Sequence, residues 1–343
     1  MHDEHEKKNA MSPRGATVCR GHRGLGDQSA TAQHVEAAWS SVAAAQEYAE
    51  AARSEATRRC YRRDFAAFEA WCTEIGVDAL PAPPELVAAY LAHRAQSGAR
   101  PSTVERALVG ISEIHRAHGH SSPRAHAAVR TVMRGIRRSH GAAPRQARPL
   151  SVAQLRALLP EGDSLGALRD RALLLLGFAG GFRRSELVAL DVADLEVDPE
   201  GLRVLVRRGK TDQEGLGHTR GIPYGAHAGT CPVRAVHAWI RAAGLEAGAV
   251  FRTVRAEGTV EARRLDGRGV ARVLQKHAAA AGLDPTELSG HSLRSGFVTE
   301  AARAGATEHD IMRQTGHRST AVLRTYIRRA TVWESNAAGR IGL

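Results

Sequence analysis

The 343-residue sequence has only four cysteines, and aromatic residues make up just 4% of it. The cysteines form no CxxC pair, so we expect reduced thiols rather than a disulfide framework. Few aromatics leave alanine and leucine to fill the core, which favours helices. The longest strongly apolar run, Ala172–Ala179, is too short for a membrane span. The first 30 residues contain no apolar signal segment, and we therefore predict a cytoplasmic protein without a membrane partner.

Acidic residues are absent between Glu113 and Glu161, although that stretch contains nine arginines. The whole chain has 48 Lys+Arg against 36 Asp+Glu, a net charge of +12. A run of charge is often only a solvated helix face, but nine arginines without acids repel one another, and phosphates relieve that repulsion. The pattern predicts a nucleic-acid partner. The predicted phosphate contacts within the stretch are Arg130, Arg134, Arg137, Arg138, Arg145 and Arg148.

Composition and periodicity divide the chain into four parts. Residues 1–30 mix glycine, serine and charge without periodicity, which predicts a disordered tail. Residues 31–140 carry helical patterns such as Tyr61, Phe65 and Phe68, and we expect four or five helices forming a DNA-binding domain. Residues 141–150 are predicted to be a basic linker. Residues 151–343 form the predicted second domain, ending in a C-terminal tail.

Local signals place several elements within these parts. Ser102 or Thr103 is a candidate cap for a helix starting near Val104, and Ser151 for one over Val152–Leu159. Alternation over residues 202–206 with a return near Thr219–Pro223 predicts a β-hairpin that carries Lys210 in its turn region. From Cys231 onward we predict helices broken by glycines. His291 and Arg294 would lie on one face of such a helix. Thr307 has the spacing to cap another, which Gly316 would end.

Three common cofactor motifs fail on inspection. Gly209-Lys210-Thr211 would need glycine at position 204 to be a phosphate-binding loop, and Val204 stands there. Gly24 and Gly26 lack the third glycine of a dinucleotide fingerprint and follow no strand. The histidines at 115, 118 and 120 have no carboxylate support. The sequence predicts no cofactor and no metal.

Four short segments carry the chemistry, and each alone is a weak signal. They are GGFRRSEL at 180–187, RGKT at 208–211, SGHSLR at 289–294, and TGHRS at 315–319 followed by TYI at 325–327. An arginine three residues before a glutamate is usually a surface pair, and a lone tyrosine among leucines is usually core. Their conjunction in this order is specific.

In these segments the chain resembles the tyrosine site-specific recombinases, the family of phage integrases, Cre and the Xer proteins. The resemblance covers about residues 150–330. It implies a catalytic set of Arg183, Lys210, His291, Arg294, His317 and Tyr326. It also implies a mainly α, two-domain fold: a helical N-terminal core-binding domain, then a mostly α catalytic domain with a small β-hairpin or sheet, the DNA breaking-rejoining fold. The implied product is a 3′-phosphotyrosyl link and a free 5′ hydroxyl.

The residue chemistry supports the same conclusion independently. Phosphodiester transfer needs a nucleophile, neutralisation of charge on the phosphorane, and a proton for the leaving oxygen. Arg183 and Arg294 are permanently charged planar donors that suit phosphate oxygens. Tyr326 needs a proton acceptor, for which His291 is the candidate, while His291 and His317 are candidate phosphate donors or proton shuttles. Lys210 is the candidate general acid.

Two further residues near the first arginine have open interpretations. Glu186 lies one turn past Arg183 and either orients it or forms a simple helix salt bridge. Arg184 is expected to contact phosphate rather than to be catalytic.

Strand exchange is the leading hypothesis for the whole protein. On this hypothesis the protein acts as a homotetramer on two inverted-repeat sites of double-stranded DNA. Away from DNA it would be a monomer or weak oligomer, and in the cell it would associate with the nucleoid. The alternatives are a type IB topoisomerase-like relaxase acting as a monomer and a non-catalytic DNA-binding regulator. Val332, Trp333 and Ile341 in the tail either dock on a neighbouring subunit or pack on their own domain.

Overall fold

A computed structural model describes residues 39–42, 44, 45, 48, 52–141, 148–207, 217–330 and 341, with no side-chain description at positions 322 and 328–330. The chain divides into two compact units, Met1–Pro144 and Arg145–Leu343. The predicted tail 1–30 and most of the predicted linker lie outside the described residues. Among the residues described, no helix combines the length and apolarity needed to cross a bilayer.

The first unit is built from helices. Residues 39–42, 44, 45 and 48 are helical. Ser54 caps the next helix by accepting a hydrogen bond from the Thr57 amide. Two helices begin with proline, whose fixed φ and missing N–H suit a first helical position. The helices are α1 (Glu55–Glu74), α2 (Pro84–Gln96), α3 (Pro101–Ala117) and α4 (Ala127–His140).

The start of α3 differs from the sequence prediction. The helix begins at Pro101, with Arg100 at the N-cap position, and no side chain caps it. The prediction of a Ser102 or Thr103 cap was therefore wrong. Proline at the first position needs no partner for an amide hydrogen, so this end is formed without a serine or threonine cap.

The core of the first unit joins all four helices. Phe68, Tyr90, Leu91, Ile111 and Met133 are among its buried side chains. Apolar residues that recur every three or four positions lie on one face of a helix and pack into such a core, which is why the sequence pattern predicted these helices.

His115 belongs to this core and is 1% exposed. Its Nε2 accepts a hydrogen bond of 3.0 Å from the Ala82 amide, and its Nδ1 lies 2.8 Å from the Ile111 carbonyl oxygen. The ring is therefore neutral, with its proton on Nδ1.

The second unit contains eight α-helices and five strands among its described residues. Ser151 caps the first helix as predicted, although that helix ends at Ala157 rather than Leu159. Short 3-10 turns occur at Pro123–Ala125 in the first unit and at Val192–Asp194, Ala228–Thr230 and Pro285–Glu287 here. The helices are α5 (Val152–Ala157), α6 (Leu165–Ala179), α7 (Arg184–Ala189), α8 (Pro232–Ala242), α9 (Gly267–Ala280), α10 (Gly290–Arg303), α11 (Glu308–Thr315) and α12 (Thr320–Ala330).

Two small antiparallel sheets complete the unit. β1 (Leu195–Asp198), β2 (Gly201–Val206) and β3 (His218–Pro223) form one sheet in that order, with Val204 opposite Arg220. β2 and β3 are the predicted hairpin. β4 (Arg252–Val254) and β5 (Val260–Arg264) form a second hairpin, so the prediction of helices throughout from Cys231 was wrong there. Both strands are short and lack strict alternation, which hides them from pattern analysis. The mainly α fold class with a small sheet is confirmed.

Packing between helices brings the functional segments together in the second unit. Residues 172–178 of α6 are buried, and Gly177 lets α7 and α10 approach it, because a Cβ there would lie 2.9 Å from Leu187 and 3.0 Å from Leu293. Val298 of α10, Ile311 of α11 and Leu323 of α12 form a separate buried cluster. This cluster fixes the helix carrying Tyr326 onto the helix carrying His291 and Arg294.

The acid-free stretch is partly compensated by acids outside it. Arg116 pairs with Glu113, Arg124 and Arg137 pair with Glu105, and Arg148 pairs with Glu287. The view that all nine arginines lack partners was therefore wrong, because Glu105 and Glu113 of α3 and Glu287 of a 3-10 turn lie close enough to pair with some of them. Within the described residues Arg130, Arg134 and Arg138 form no ion pair, and all three are exposed on α4.

Candidate active site

The first arginine of the site lies at a tight junction between two helices. Gly180 ends α6, and Gly181 has a φ of +56°, a left-handed conformation that favours glycine. A Cβ on Gly181 would also lie 2.8 Å from Thr315 Cγ2. Arg183 then occupies the N-cap position of α7 with extended backbone. This geometry explains the two glycines of the motif.

Glu186 joins two arginines. Its Oε1 accepts a 2.5 Å hydrogen bond from Arg183 Nη1, and its Oε2 accepts bonds from the Arg183 amide at 3.0 Å and from Arg220 Nη2 at 2.8 Å. Desolvation by burial raises the pKa of Glu186, but the charges of Arg220 and Arg183 outweigh it, so the pKa lies below its ordinary value. Glu186 is therefore an ionised carboxylate and not merely a surface helix pair.

Arg294 is 2% exposed and is held by backbone oxygens. Its Nη1 donates to the carbonyl oxygens of Gly181 and Thr315, both at 2.7 Å. Its Nη2 is buried and has no hydrogen-bond partner among the described residues. Desolvation, followed by the positive charge of Arg183, lowers the pKa of Arg294 to about 9. The guanidinium stays charged at neutral pH and keeps one donor free for an anion.

Tyr326 and His291 are in direct contact. The Tyr326 hydroxyl lies 2.6 Å from His291 Nε2, and the ring centroids are 5.9 Å apart. His291 sits in the first turn of α10, where the Ser289 hydroxyl accepts a bond from its amide. Desolvation, then the charges of Arg294 and Arg183, lowers the pKa of His291. A neutral imidazole beside the phenol is suited to accept its proton.

His317 is oriented by Thr315. The Thr315 hydroxyl donates to the Ile311 carbonyl oxygen at 2.6 Å, and the same oxygen lies 2.6 Å from His317 Nδ1. Because a hydroxyl has one hydrogen and a carbonyl only accepts, His317 Nδ1 is the donor. Desolvation, then Arg294 and Arg183, lowers the pKa of His317 to about 3. His317 is neutral before substrate binds and directs its Nε2 away from this chain of bonds.

The turn between α11 and α12 brings His317 to Tyr326. Gly316 ends α11 in the left-handed conformation, at φ +67°, and a Cβ there would lie 3.2 Å from the His218 ring. Thr307 caps α11 as its spacing predicted. The centroids of the His317 and Tyr326 rings are 6.4 Å apart. Five of the six predicted catalytic residues thus lie around one pocket.

The other predicted site residues lie away from this pocket or outside the residues that the structure describes. Lys210 lies outside the described residues, in the connection between Val206 and His218, and so does Arg145. Arg184 is exposed, and its side chain runs past Gly290 and Gly267. Arg137, paired with Glu105, borders a groove on the first unit. That groove of 320 Å³ is lined by Glu105, Leu108, Arg124, Arg130, Met133, Arg134 and Arg137.

A phenol hydrogen-bonded to a neutral histidine beside two guanidiniums has the parts needed for attack on a phosphodiester. The phage integrase family matches residues 148–331, which contain this pocket. The phage integrase N-terminal SAM-like domain matches residues 46–132. The chain belongs to the phage integrase family of tyrosine recombinases.

Known recombinases resemble the chain over most of its length. An integrase/recombinase xerD homolog of Selenomonas ruminantium is 37% identical over 297 residues, covering 85% of this chain and 87% of that protein. The recombinase cre of Escherichia phage P1 is 27% identical over 278 residues, covering 76% and 80% respectively. The crystal structure of a lambda integrase (75–356) dimer bound to a COC′ core site has the same fold. Its TM-score is 0.55 at 18% identity, with 80% of this chain and 89% of that chain covered. The chain is an enzyme of the tyrosine recombinase family.

Sequence reasoning missed two residues of this recombinase pocket. Arg220 is 1% exposed on β3, and Thr315 is fully buried at the end of α11. The available signal was an arginine two residues before Ile222, a position on the same face of β3, opposite Val204 of β2. No sequence signal marked Thr315, because part of its role belongs to its backbone carbonyl oxygen, which accepts from Arg294 and Arg220.

The described residues bring no three His, Cys, Asp or Glu side chains into a metal-binding group. The ionisable groups described for the pocket are arginines, histidines, the Tyr326 phenol and the Glu186 carboxylate.

Proposed function

We propose that the protein is a site-specific DNA recombinase that cleaves and rejoins strands through a 3′-phosphotyrosyl intermediate on Tyr326, using neither metal nor ATP. The observation that carries the proposal is the 2.6 Å contact between the Tyr326 hydroxyl and His291 Nε2 beside Arg294 and Arg183. A phosphotyrosyl link preserves the energy of a phosphodiester, so a strand end can be rejoined without nucleotide hydrolysis.

The two arginines would bind the non-bridging oxygens of the scissile phosphate. Arg294 Nη2 is buried and unpaired within the described residues, so it is ready to donate. Arg183 uses Nη1 on Glu186, which leaves its other donors for phosphate. Donors that are already held in place, as in the buried Arg294, stabilise the developing charge without reorganising.

The two histidines would have different tasks. His291 accepts the Tyr326 proton as the phenol oxygen attacks phosphorus. His317 is neutral before binding, and the negative charge of the incoming phosphate raises its pKa, which converts Nε2 from an acceptor into a donor. Lys210, on the connection between β2 and β3, is proposed to protonate the departing 5′ oxygen.

The proposed partner is double-stranded DNA carrying an inverted repeat. Arg130, Arg134, Arg137 and Arg138 on α4, with Arg145, Arg148 and Arg184, would contact its phosphates and fix the register of the protein. The lambda integrase with which the chain shares its fold was crystallised on a core site, which supports this partner. The protein would work in the cytoplasm, associated with the nucleoid.

Assembly is proposed to be a homotetramer on two DNA sites, with a monomer or weak oligomer off DNA. A largely apolar groove of 510 Å³ on the second unit supports it, and the C-terminal segment 331–343 of a neighbouring copy is the proposed occupant. Truncation after Ala330 should prevent synaptic complexes while leaving single-site binding. The groove is lined in part by Phe178, Pro223, Tyr224, Phe297 and Ile311.

A covalent-adduct experiment tests the function. Target duplexes are first selected from a randomised library with the wild-type protein, and nicked suicide versions are then incubated with wild type and Tyr326→Phe. Wild type should form a denaturant-resistant protein–DNA adduct, and Tyr326→Phe should bind without forming one. If wild type binds and no adduct forms, the protein is a regulator. Plasmids with one or two sites then separate relaxation from recombination.

A further inference from the structure

We propose that Arg220 is a positioning residue of the reaction, which balances the buried charge of Glu186 so that the three arginines and this carboxylate together keep two net positive charges. The inference rests on the proposed function and adds a role that the catalytic motifs do not contain.

The Arg220 side chain is completely buried and uses its donors on four partners. Nε donates to His218 Nε2 at 2.9 Å, and Nη1 donates to the Gly180 carbonyl oxygen at 2.9 Å. Nη2 donates to Glu186 Oε2 at 2.8 Å and to the Thr315 carbonyl oxygen at 3.2 Å. These bonds tie β3 to the end of α6, to α7 and to the end of α11.

The guanidinium also stacks on an aromatic ring, which holds its plane. Arg220 Cζ lies 4.4 Å from the centroid of the Phe182 ring. A lysine at this position would keep the charge but could not make this planar contact or reach four acceptors in one plane.

Charge balance shows why the reaction needs this residue. Arg183, Arg294 and Arg220 contribute three positive charges and Glu186 one negative charge. A phosphodiester anion attacked by a phenolate forms a phosphorane with two negative charges, and the proton lost by Tyr326 leaves one further positive charge on His291. Without Arg220, the buried carboxylate of Glu186 would neutralise Arg183, and the arginines and Glu186 together would keep one net positive charge instead of two.

Arg220 also holds the backbone that orients Arg294. The Thr315 carbonyl oxygen accepts from Arg294 Nη1 and from Arg220 Nη2, while the adjacent carbonyls of Gly180 and Gly181 accept from Arg220 and Arg294 respectively. Both guanidiniums therefore join the same two chain segments. A shift of either segment after loss of Arg220 would move the free Nη2 of Arg294.

The test measures the single-turnover rate of adduct formation on the selected suicide duplex, at saturating protein. Arg220→Met should lower that rate by about 10²-fold or more, comparable to loss of a transition-state donor, while DNA affinity changes little. Adding Glu186→Gln to Arg220→Met removes the unbalanced carboxylate and should recover roughly tenfold of the rate. Arg220→Lys, which keeps the charge, should fall between wild type and Arg220→Met.

A second substrate separates charge balance from a general loss of structure. A duplex with a methylphosphonate at the scissile position carries one negative charge fewer, so it needs less positive charge. On this methylphosphonate duplex, the ratio of the wild-type rate to the Arg220→Met rate should be smaller by about tenfold or more than on the phosphate duplex. Thermal unfolding of each variant identifies a protein that has failed to fold, and Arg220→Lys provides the comparison in that case.

Equal losses on phosphate and methylphosphonate, or no recovery in the double variant, would overturn the inference while leaving the proposed function intact. An adduct rate unchanged in Arg220→Met would also overturn it. Failure of wild type to form any adduct would overturn the proposed function and this inference together.

Discussion

The hydroxyl of Thr315 holds His317 Nδ1 at 2.6 Å, and the same hydroxyl donates its hydrogen to the backbone. One short chain of hydrogen bonds thus sets both the tautomer and the orientation of a histidine in the proposed reaction. His317 Nε2 takes no part in this chain of bonds, and its protonation decides whether it accepts or donates a hydrogen bond.

Thr315→Val should therefore slow adduct formation without removing any proposed catalytic group. Valine has the same shape, but it cannot accept from His317, and we expect a loss of about tenfold, the equivalent of one neutral hydrogen bond. Single-turnover cleavage measures it. Thr315→Ser keeps the hydroxyl and should retain most of the rate. If valine and serine were equally active, Thr315 would not orient His317.

The pH dependence of cleavage should report His291. Its pKa is lowered, so the neutral form that accepts the Tyr326 proton persists below pH 6.5. The cleavage rate at limiting DNA should be constant near neutral pH and fall only as the pH drops through this lowered pKa. His291→Gln should cleave roughly 10²–10⁴-fold more slowly and lose that acid limb. A limb that survives in His291→Gln would assign the proton acceptor to another group.

The stability of the first unit should decline in acid because of His115. Desolvation lowers the pKa of His115 in the folded protein, whereas the unfolded chain titrates near its ordinary value. Its stabilising effect is therefore complete above about pH 6.5 and is lost as the pH falls below that value. Hydrogen exchange of the full chain, corrected for intrinsic rates, should show faster opening around Ala82 at pH 5.5 than at pH 7.5.

Two variants separate His115 from other histidines in that measurement. His115→Gln should open faster at pH 7.5, with most of the pH difference gone. His118→Gln, which changes an exposed neighbour, should leave the pH difference in place. A pH difference of wild-type size in His115→Gln would contradict the assignment.

Arginines on α4 should set the salt dependence of DNA binding. If Arg130, Arg134 and Arg138 each neutralise one phosphate, replacing each with glutamine should reduce the slope of log affinity against log salt by about 0.9. Titrations at several salt concentrations measure the slope. Arg241→Gln, exposed at the end of α8, is the control and should leave it unchanged. An unaltered slope in the triple variant would remove α4 from the interface.

Sequence alone predicted the parts of the molecule that depend on local signals. Ser151 and Thr307 cap their helices because a hydroxyl meets an amide three residues away. His291 and Arg294 lie on one helix, and Gly316 ends the helix before His317, as their spacing indicated. These features need only a few neighbouring residues.

Features that depend on contacts between distant segments were not predictable in this way. Arg220 meets Glu186 across 34 positions and Thr315 across 95. Likewise, the acids that pair with Arg137 and Arg148 lie 32 and 139 positions away. When charges are counted along the sequence, such arginines show no acidic partner nearby. Only the fold shows which carboxylates approach them.

The unpaired Nη2 of Arg294 affects the lifetime of the protein as well as its chemistry. A buried donor without an acceptor costs about 1–3 kcal/mol of folding free energy. A phosphate oxygen of the DNA target would accept from this donor and remove that cost. Heat and proteases should therefore inactivate the unbound protein sooner than the DNA-bound protein, so that the bound form accumulates.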